Sequence, residues 1–168
     1  PLLYENGAYR VDFAGLEEKL ADPQTTLLLL CNPQNPGGVL WDRDTLSRIG
    51  SLCSKYSVIV VADEIHCDLT VPGYEYTPFA SISDECLMNS VTCIAPTKAF
   101  NIAGLQTAAI FSANKRLKHM AERGLNTDEC AEPNVFAVTA AIAAFTNGGE
   151  WLDQLRAYIA ENRRVTAE

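Results

Sequence analysis

The sequence predicts an α/β protein, a three-layer sandwich whose mostly parallel sheet has one antiparallel strand at its edge. Four short apolar runs, at 26–31, 58–62, 89–95 and 106–113, have the length of strands, and three are rich in Val, Ile or Thr. Their hydrophobicity is continuous rather than alternating, which is typical of strands covered on both faces in a parallel sheet. Helical patterns separate several of the runs, as layered α/β folds require.

The elements follow in chain order. The run at 26–31 ends at a Pro/Gly cluster, which favours a strand. The next pattern is a helix with Asp42 as its N-cap and one apolar face, formed by Leu46, Ile49, Cys53 and Tyr56. We expect the strands at 26–31, 58–62 and 89–95 to be parallel and adjacent. The run at 106–113 follows too soon for a parallel crossover, so we place it antiparallel at one edge.

The second half of the chain is predicted to be helical. A short helix at 114–123 should stop at Gly124, and an apolar helix at 133–145 is opened by Pro133 and closed by the Asn-Gly-Gly sequence at 147–149. A final amphipathic helix carries Trp151, Leu155, Tyr158 and Ile159 on one face. It has no stop signal, so we expect the natural chain to continue beyond it.

The composition of the chain argues against several classes of function. The chain has 13 Lys plus Arg against 21 Asp plus Glu, a net charge of -8, and no basic stripe, which argues against nucleic acid as a partner. Its longest apolar run is too short to span a membrane, and no secretory signal is visible, so a cytoplasmic location is expected. Six cysteines form no C-x-x-C pair, and only two histidines are available. We therefore expect reduced thiols and no metal site.

Three polar motifs follow the first three predicted strands. They are N-P-Q-N-P-G-G at 32–38, D-E-I-H at 63–66 and A-P-T-K-A-F-N at 95–101. Each alone has a common structural explanation, as a turn, a helix cap or a solvated lysine. In open α/β sheets, however, ligands bind outside the carboxyl ends of the strands. Three neighbouring strands span roughly 10 Å, enough for one small aromatic ring with a lysine reaching it.

In this order and spacing, the motifs resemble those of fold-type I pyridoxal-phosphate (PLP) enzymes. The sequences at 32–41 and 63–69 are similar to those of the cystathionine β-lyase-like (C–S lyase) branch of the class I/II aminotransferase family. The resemblance covers essentially all 168 residues. It implies the PLP-transferase large-domain fold, PLP as cofactor and an amino-acid substrate.

The resemblance also implies a role for each motif residue. Lys98 would form the Schiff base with PLP and then move the Cα proton as a general base. Asp63 would pair with the pyridine nitrogen and keep it protonated. Asn35 and His66 would lie near the phenolic oxygen of the ring, and Thr97 would contact the phosphate.

Two positions depart from the pattern of many relatives. Gln106 stands where they have an arginine that clamps the phosphate, a change that the C–S lyase branch commonly tolerates. Ala95 stands where aminotransferases often have serine. Some of the phosphate affinity would then have to come from other residues.

The family implies a division of the chain and a larger enzyme. Residues 1–147 would be part of the PLP-binding large domain without its amino-terminal portion, and 148–168 the helix that leads to an absent small domain. The complete enzyme would be a homodimer. We expect the isolated chain to bind PLP weakly or not at all.

The reaction implied is β-elimination from an S-substituted cysteine, giving a thiol, pyruvate and ammonia. Transamination shares its first half and stays open as an alternative. A phosphoacceptor receiver domain also places Asp, Thr and Lys at strand ends, but there Thr and Lys follow different strands, whereas Thr97 and Lys98 are adjacent. A non-catalytic α/β binding module is a third possibility.

Overall fold

The first 20 residues form a hairpin and a helix that were not predicted from the sequence. The computed structural model describes residues 1–167 of the chain. Strands β1 (Leu2–Glu5) and β2 (Ala8–Val11) pair antiparallel. Helix α1 (Phe13–Leu20) follows, with Asp12 as its N-cap. The Asp12 side chain accepts a hydrogen bond from the Gly15 N–H, which satisfies one free donor of the first helical turn.

The main sheet has the predicted order and directions. Its strands lie in the order β3 (Leu27–Cys31), β4 (Ile59–Asp63), β5 (Ser90–Ile94) and β6 (Ala109–Phe111). The first three are parallel neighbours, and β6 pairs antiparallel with β5 at the edge. The predicted α/β class, with a mostly parallel sheet and an antiparallel edge strand, is therefore confirmed.

Six further α-helices follow within residues 1–167. They are α2 (Arg43–Lys55), α3 (Asp84–Met88), α4 (Pro96–Ala99), α5 (Lys115–Thr127), α6 (Ala137–Asn147) and α7 (Gly149–Ala167). Asp42 is the N-cap of α2, as predicted, and its carboxylate accepts a hydrogen bond from the Thr45 N–H. The predicted domain division at 147/148 falls between α6 and α7 and stays a prediction.

Three predicted boundaries were wrong. Helix α5 continues through Gly124 to Thr127. Helix α6 begins at Ala137 rather than Pro133, because the Asn134 side chain accepts hydrogen bonds from the N–H groups of Phe136 and Ala137 and holds the preceding residues in a turn. Strand β6 is shorter than 106–113, because Gln106 has a left-handed backbone (φ 48) that ends a 3₁₀ turn.

The core lies between α2 and one face of the sheet. Leu46, Ile49 and Cys53 of α2 are buried with Val60 and Ala62 of β4. The opposite face is more open, since Leu27 is 52% and Leu29 63% exposed. Among residues 1–167, no helix is both long enough and apolar enough to cross a membrane.

Candidate active site

The carboxyl ends of the three parallel strands bring Cys31, Asp63 and Cys93 together. Cys31 is the register partner of Asp63, and Asp63 that of Cys93. Side chains at matched positions of neighbouring strands point to the same face, so Asp63 lies between the two thiols. One Asp63 oxygen, Oδ1, accepts a hydrogen bond from the Ile65 N–H at 3.3 Å. No residue in the described part of the chain donates to Oδ2, which leaves it open to a ligand.

Asp63 affects the two thiols beside it. Burial, followed by the negative charge of Asp63, raises the pKa of the Cys31 thiol. Burial raises the pKa of the Cys93 thiol as well, with smaller contributions from Asp63 and Glu64. Both thiols therefore stay protonated at neutral pH, and Asp63 lies between two neutral neighbours.

Glu64, the residue after Asp63, has a different environment. Its side chain is only 2% exposed, and its Oε1 accepts a hydrogen bond from the Phe79 N–H at 2.8 Å. The Tyr76 hydroxyl is hydrogen-bonded to the same carboxyl group, whose pKa is raised mainly by burial. The sequence analysis gave Glu64 no role. The alternation of side chains along a strand could have indicated its burial, because residues next to each other face opposite sides.

The loop after β3 is held in a tight turn. Asn32 is fully buried and donates from Nδ2 to the Thr77 carbonyl at 2.9 Å. Trp41 donates from its indole nitrogen to the Cys31 carbonyl at 3.0 Å. These bonds fix both ends of the loop, and Asn35 lies exposed at its tip.

Asn35 and His66 line the same cleft, which has a volume of about 710 Å³. The hairpin residues 7–9, residues 69–71, Tyr74 and Arg163 of α7 form further parts of its wall. The volume lies within the range of about 300–1,000 Å³ that is usual for small-molecule sites.

Thr97 and Lys98 lie on the short helix α4. Its first turn is stabilised by a bond from the Phe100 N–H to the Pro96 carbonyl at 3.0 Å. Lys98 is exposed, and α4 contacts the 3₁₀ turn Cys67–Leu69 that follows His66. The lysine turn therefore packs beside the His66 loop. Asp63, Thr97 and Lys98 do not line the cleft that Asn35 and His66 share.

Helix α7 is attached to the loop after His66 by Arg156. Its Nε donates to the Thr70 carbonyl at 2.8 Å, and its Nη2 donates to the Thr70 hydroxyl at 3.2 Å. The sequence analysis gave neither Arg156 nor Arg163 a role. No pattern in the sequence marked them, because the contacts join segments that are far apart in the chain.

The described residues contain no cluster of side chains suited to a metal ion. Across residues 1–167, no group of three or more His, Cys, Asp and Glu side chains is placed to hold a metal ion.

The fold and the strand-end motifs define the class of protein. A mostly parallel sheet with an antiparallel edge strand carries a lysine turn after one strand and an aspartate at the end of its neighbour. The family model for aminotransferase class I and II matches residues 2–168. The chain belongs to that family.

Individual relatives agree with this assignment. The chain is 49% identical over 162 residues to cystathionine beta-lyase PatB of Bacillus subtilis, which covers 96% of this chain and 42% of PatB. It is 35% identical to protein MalY of Escherichia coli, covering 94% of this chain and 40% of MalY. The chain therefore spans about two fifths of the length of these curated relatives.

Solved structures extend the comparison to three dimensions. Cystalysin from Treponema denticola, which contains a pyridoxal 5'-phosphate cofactor, superposes with a TM-score of 0.95 at 33% identity, over 98% of this chain and 42% of cystalysin. The PLP-bound C-S lyase from Staphylococcus hominis has a TM-score of 0.90 at 30% identity, over 99% of this chain and 41% of that enzyme.

Proposed function

We propose that the protein containing this chain is a PLP-dependent C–S β-lyase, and that this chain supplies its catalytic lysine, Lys98. The reaction consumes one S-substituted cysteine and one water and yields a thiol, pyruvate and ammonium. The observation that carries the proposal is the 49% identity to cystathionine beta-lyase PatB across 96% of this chain. The motifs at 32–38, 63–66 and 95–101 lie inside the matched region.

The side chains at the strand ends are chemically suited to PLP. Asp63 offers a carboxylate oxygen that accepts no hydrogen bond from residues 1–167, and its thiol neighbours are uncharged. Lys98 is exposed on its turn, and Asn35 and His66 share one cleft. When bound, PLP would supply an electron sink for the charge that develops at the substrate Cα.

Each residue then has a defined task. Asp63 would hold a proton at the pyridine nitrogen, because a nearby negative charge favours the protonated ring. Asn35 and His66 would orient the ring through its phenolic oxygen, and Thr97 would bind the phosphate. Lys98 would take the proton from Cα as a general base while the Cβ–S bond breaks and its electron pair leaves with sulfur.

Transamination is the second candidate. It is favoured by the family description and by 26% identity to aspartate aminotransferase of Bacillus subtilis over 79% of this chain. In that reaction Lys98 would return the proton to the cofactor carbon, and a keto acid would accept the amino group.

One assay separates the two reactions. Purified protein that contains this chain, loaded with PLP, is given an S-substituted cysteine without keto acid, and thiol and pyruvate are measured. The lyase proposal predicts equal amounts of both products. Turnover that requires an added keto acid would instead assign the protein to the aminotransferases.

Lys98→Ala tests the lysine in the same protein. We expect a loss of activity of at least about 10²–10⁴-fold, because a positioned general base contributes that much. The parent protein should show the absorbance band of lysine-bound PLP, and borohydride should attach its cofactor covalently. Both signals should be absent in Lys98→Ala. Lys115→Ala, an exposed lysine at the start of α5, is the matched control and should keep both the band and the activity. Covalent attachment of PLP to Lys98→Ala after borohydride treatment would show that another lysine holds the cofactor.

The amino-acid substrate, the homodimer and the cytoplasmic location extend this proposal to the complete protein. Their support is the family resemblance. Sedimentation of the holoprotein tests the dimer.

A further inference from the structure

The cleft that contains Asn35 and His66 has an uneven charge. Among the described residues that line it, Arg163 is the one side chain that is always charged, and none is Asp or Glu. Its lining also includes the uncharged amides of Gln34 and Asn35 and the hydroxyl of Thr70. A site of this composition favours an anionic ligand group, because a cation in a partly enclosed cleft interacts more strongly than one in open water.

Helix α7 gives Arg163 a defined place in this wall. Arg156 attaches the helix to Thr70 by two hydrogen bonds, at 2.8 and 3.2 Å. Seven residues make about two helical turns, so Arg156 and Arg163 lie on the same face of α7. No carboxylate within residues 1–167 forms an ion pair with Arg163, so its guanidinium is available to a ligand.

We infer that Arg163 binds a carboxylate carried by the sulfur substituent of the substrate, so that the preferred substrates are S-substituted cysteines with an acidic S-substituent. The inference rests on the proposed function, which places Asn35 and His66 at the cofactor ring in this same cleft. A guanidinium presents paired N–H donors that match a carboxylate. The cofactor phosphate is the other candidate anion, but Thr97, its proposed contact, lies outside the cleft lining.

The test compares two substrates that differ in one charge. S-carboxyethyl-cysteine and its amide, S-carbamoylethyl-cysteine, are given to the PLP-loaded protein that contains this chain. The parent protein should prefer the acid by about 10–100-fold in kcat/KM, as expected for a charge-assisted hydrogen bond. Arg163→Gln should bring this ratio close to one by raising KM for the acid far more than KM for the amide. Arg163→Lys should restore part of the preference.

Arg164→Gln is the matched control. Arg164 is the next residue, pairs with Glu161 at 2.8 Å and does not line the cleft. Its substitution should leave the ratio of acid to amide unchanged. A ratio that is the same in the parent protein and Arg163→Gln would overturn the inference, as would equal losses for both substrates, which indicate a structural role.

A binding measurement separates this inference from the lyase proposal. Calorimetric titration of both compounds into the Lys98→Ala protein, in which the general base is removed, reports the ratio of the two Kd values directly. If the parent protein produced no thiol, the proposed function would fail, while the Kd ratio with and without Arg163→Gln would still decide the role of Arg163. A loss of PLP affinity in Arg163→Gln without a change in that ratio would assign Arg163 to the phosphate and overturn the inference.

Discussion

Two neighbouring acids at the end of β4 have opposite environments. Asp63 is half-buried at the strand end with one oxygen free of hydrogen bonds from residues 1–167, whereas Glu64 is 2% exposed and bonded to Phe79 and Tyr76. One residue step turns the side chain to the opposite face, and this alone separates a carboxylate available to a ligand from one enclosed by protein. Asp63 is therefore available at the candidate site, whereas Glu64 belongs to the protein interior.

Glu64→Gln should change how stability depends on pH. Burial raises the folded-state pKa of Glu64 above its ordinary value of 4.5. The folded state therefore binds this proton more tightly than the unfolded state, and the free energy of unfolding falls as the pH rises through the folded-state pKa. We expect a weaker fall in the Gln variant, measured by urea unfolding at a series of pH values upward from 4.5.

Glu132→Gln, at an exposed loop position, is the control for this experiment and should keep the parent slope. An identical slope in the parent protein and in Glu64→Gln would contradict the role assigned to burial.

The positions of the motif residues could be predicted from the sequence, because each motif directly follows a strand that the sequence itself indicates. Asp63 and Lys98 follow recognisable strands, and the structure places both at the carboxyl edge of the sheet. Glu64 was overlooked because its partners, Tyr76 and Phe79, lie on a loop without regular periodicity. Arg163 was overlooked because its relation to the cleft depends on how α7 docks, which no local pattern specifies.

At the scale of elements, α2 shows how a single cap defines a helix. The Asp42 carboxylate accepts a bond from the Thr45 N–H at 2.7 Å, and this bond lowers the pKa of Asp42. The first turn would otherwise leave this donor without a partner in the protein. Since α2 supplies Leu46 and Ile49 to the core, its start affects the whole sheet face.

Asp42→Ala should lower the free energy of unfolding by about 1 kcal/mol at neutral pH, the usual cost of losing such a cap. The lowered pKa means that the stabilising effect is present above the unfolded-state value and is lost as the pH falls through the folded-state value. The difference between variant and parent should therefore shrink in acid. Urea unfolding at pH 7 and at low pH measures both effects.

Asp44→Ala, in the first turn of the same helix, is the comparison variant. Its side chain makes no cap bond, so its substitution should cost less. Equal losses for the two variants would indicate a general charge effect at the helix start rather than a cap.

Element boundaries were predicted less well than element types, for physical reasons. Gly124 costs a helix about 1 kcal/mol relative to Ala, which α5 tolerates in its interior. Pro133 is suited to the first turn of a helix, yet the bonds that the Asn134 side chain accepts hold a turn there, and the helix begins at Ala137. Both competing signals were in the sequence, and their relative strength depended on context.

At the scale of the whole molecule, the described chain leaves its candidate site open. Lys98 is exposed, and Leu27 and Leu29 on the adjoining sheet are 52% and 63% exposed. Small-molecule sites usually enclose about 70–90% of their ligand. Thr97 is also the one phosphate contact that we propose, so this chain offers few of the contacts that retain a phosphorylated cofactor.

The 168-residue chain, expressed alone, should therefore retain PLP poorly. After addition of PLP and dialysis, we expect much less than one equivalent of borohydride-trapped cofactor. A protein spanning the full length of its relatives should retain about one equivalent. Stoichiometric trapping at Lys98 in the isolated chain would contradict this expectation.

The topology of the sheet could be predicted because short connections permit few arrangements. The strands as predicted leave only residues 96–105 between the third and the fourth, fewer than a parallel crossover needs, and β5 and β6 are antiparallel. The hairpin Leu2–Val11 and α1 could not be anticipated in the same way, since their short patterns lack strong periodicity. Contacts between distant segments, such as the hydrogen bonds from Arg156 to Thr70, form only once the chain is folded and leave no local pattern in the sequence.

The antiparallel return of β6 has a consequence for the lysine itself. Lys98 lies on a connection whose two ends belong to neighbouring strands, paired through Thr92 with Phe111 and Ile94 with Ala109. A slip of one residue in that pairing would make the connection one residue longer or shorter and turn every side chain of β6 to the opposite face. The register between β5 and β6 therefore affects where the Lys98 amine lies. A substitution in β6 can change the position of that amine without contacting the candidate site.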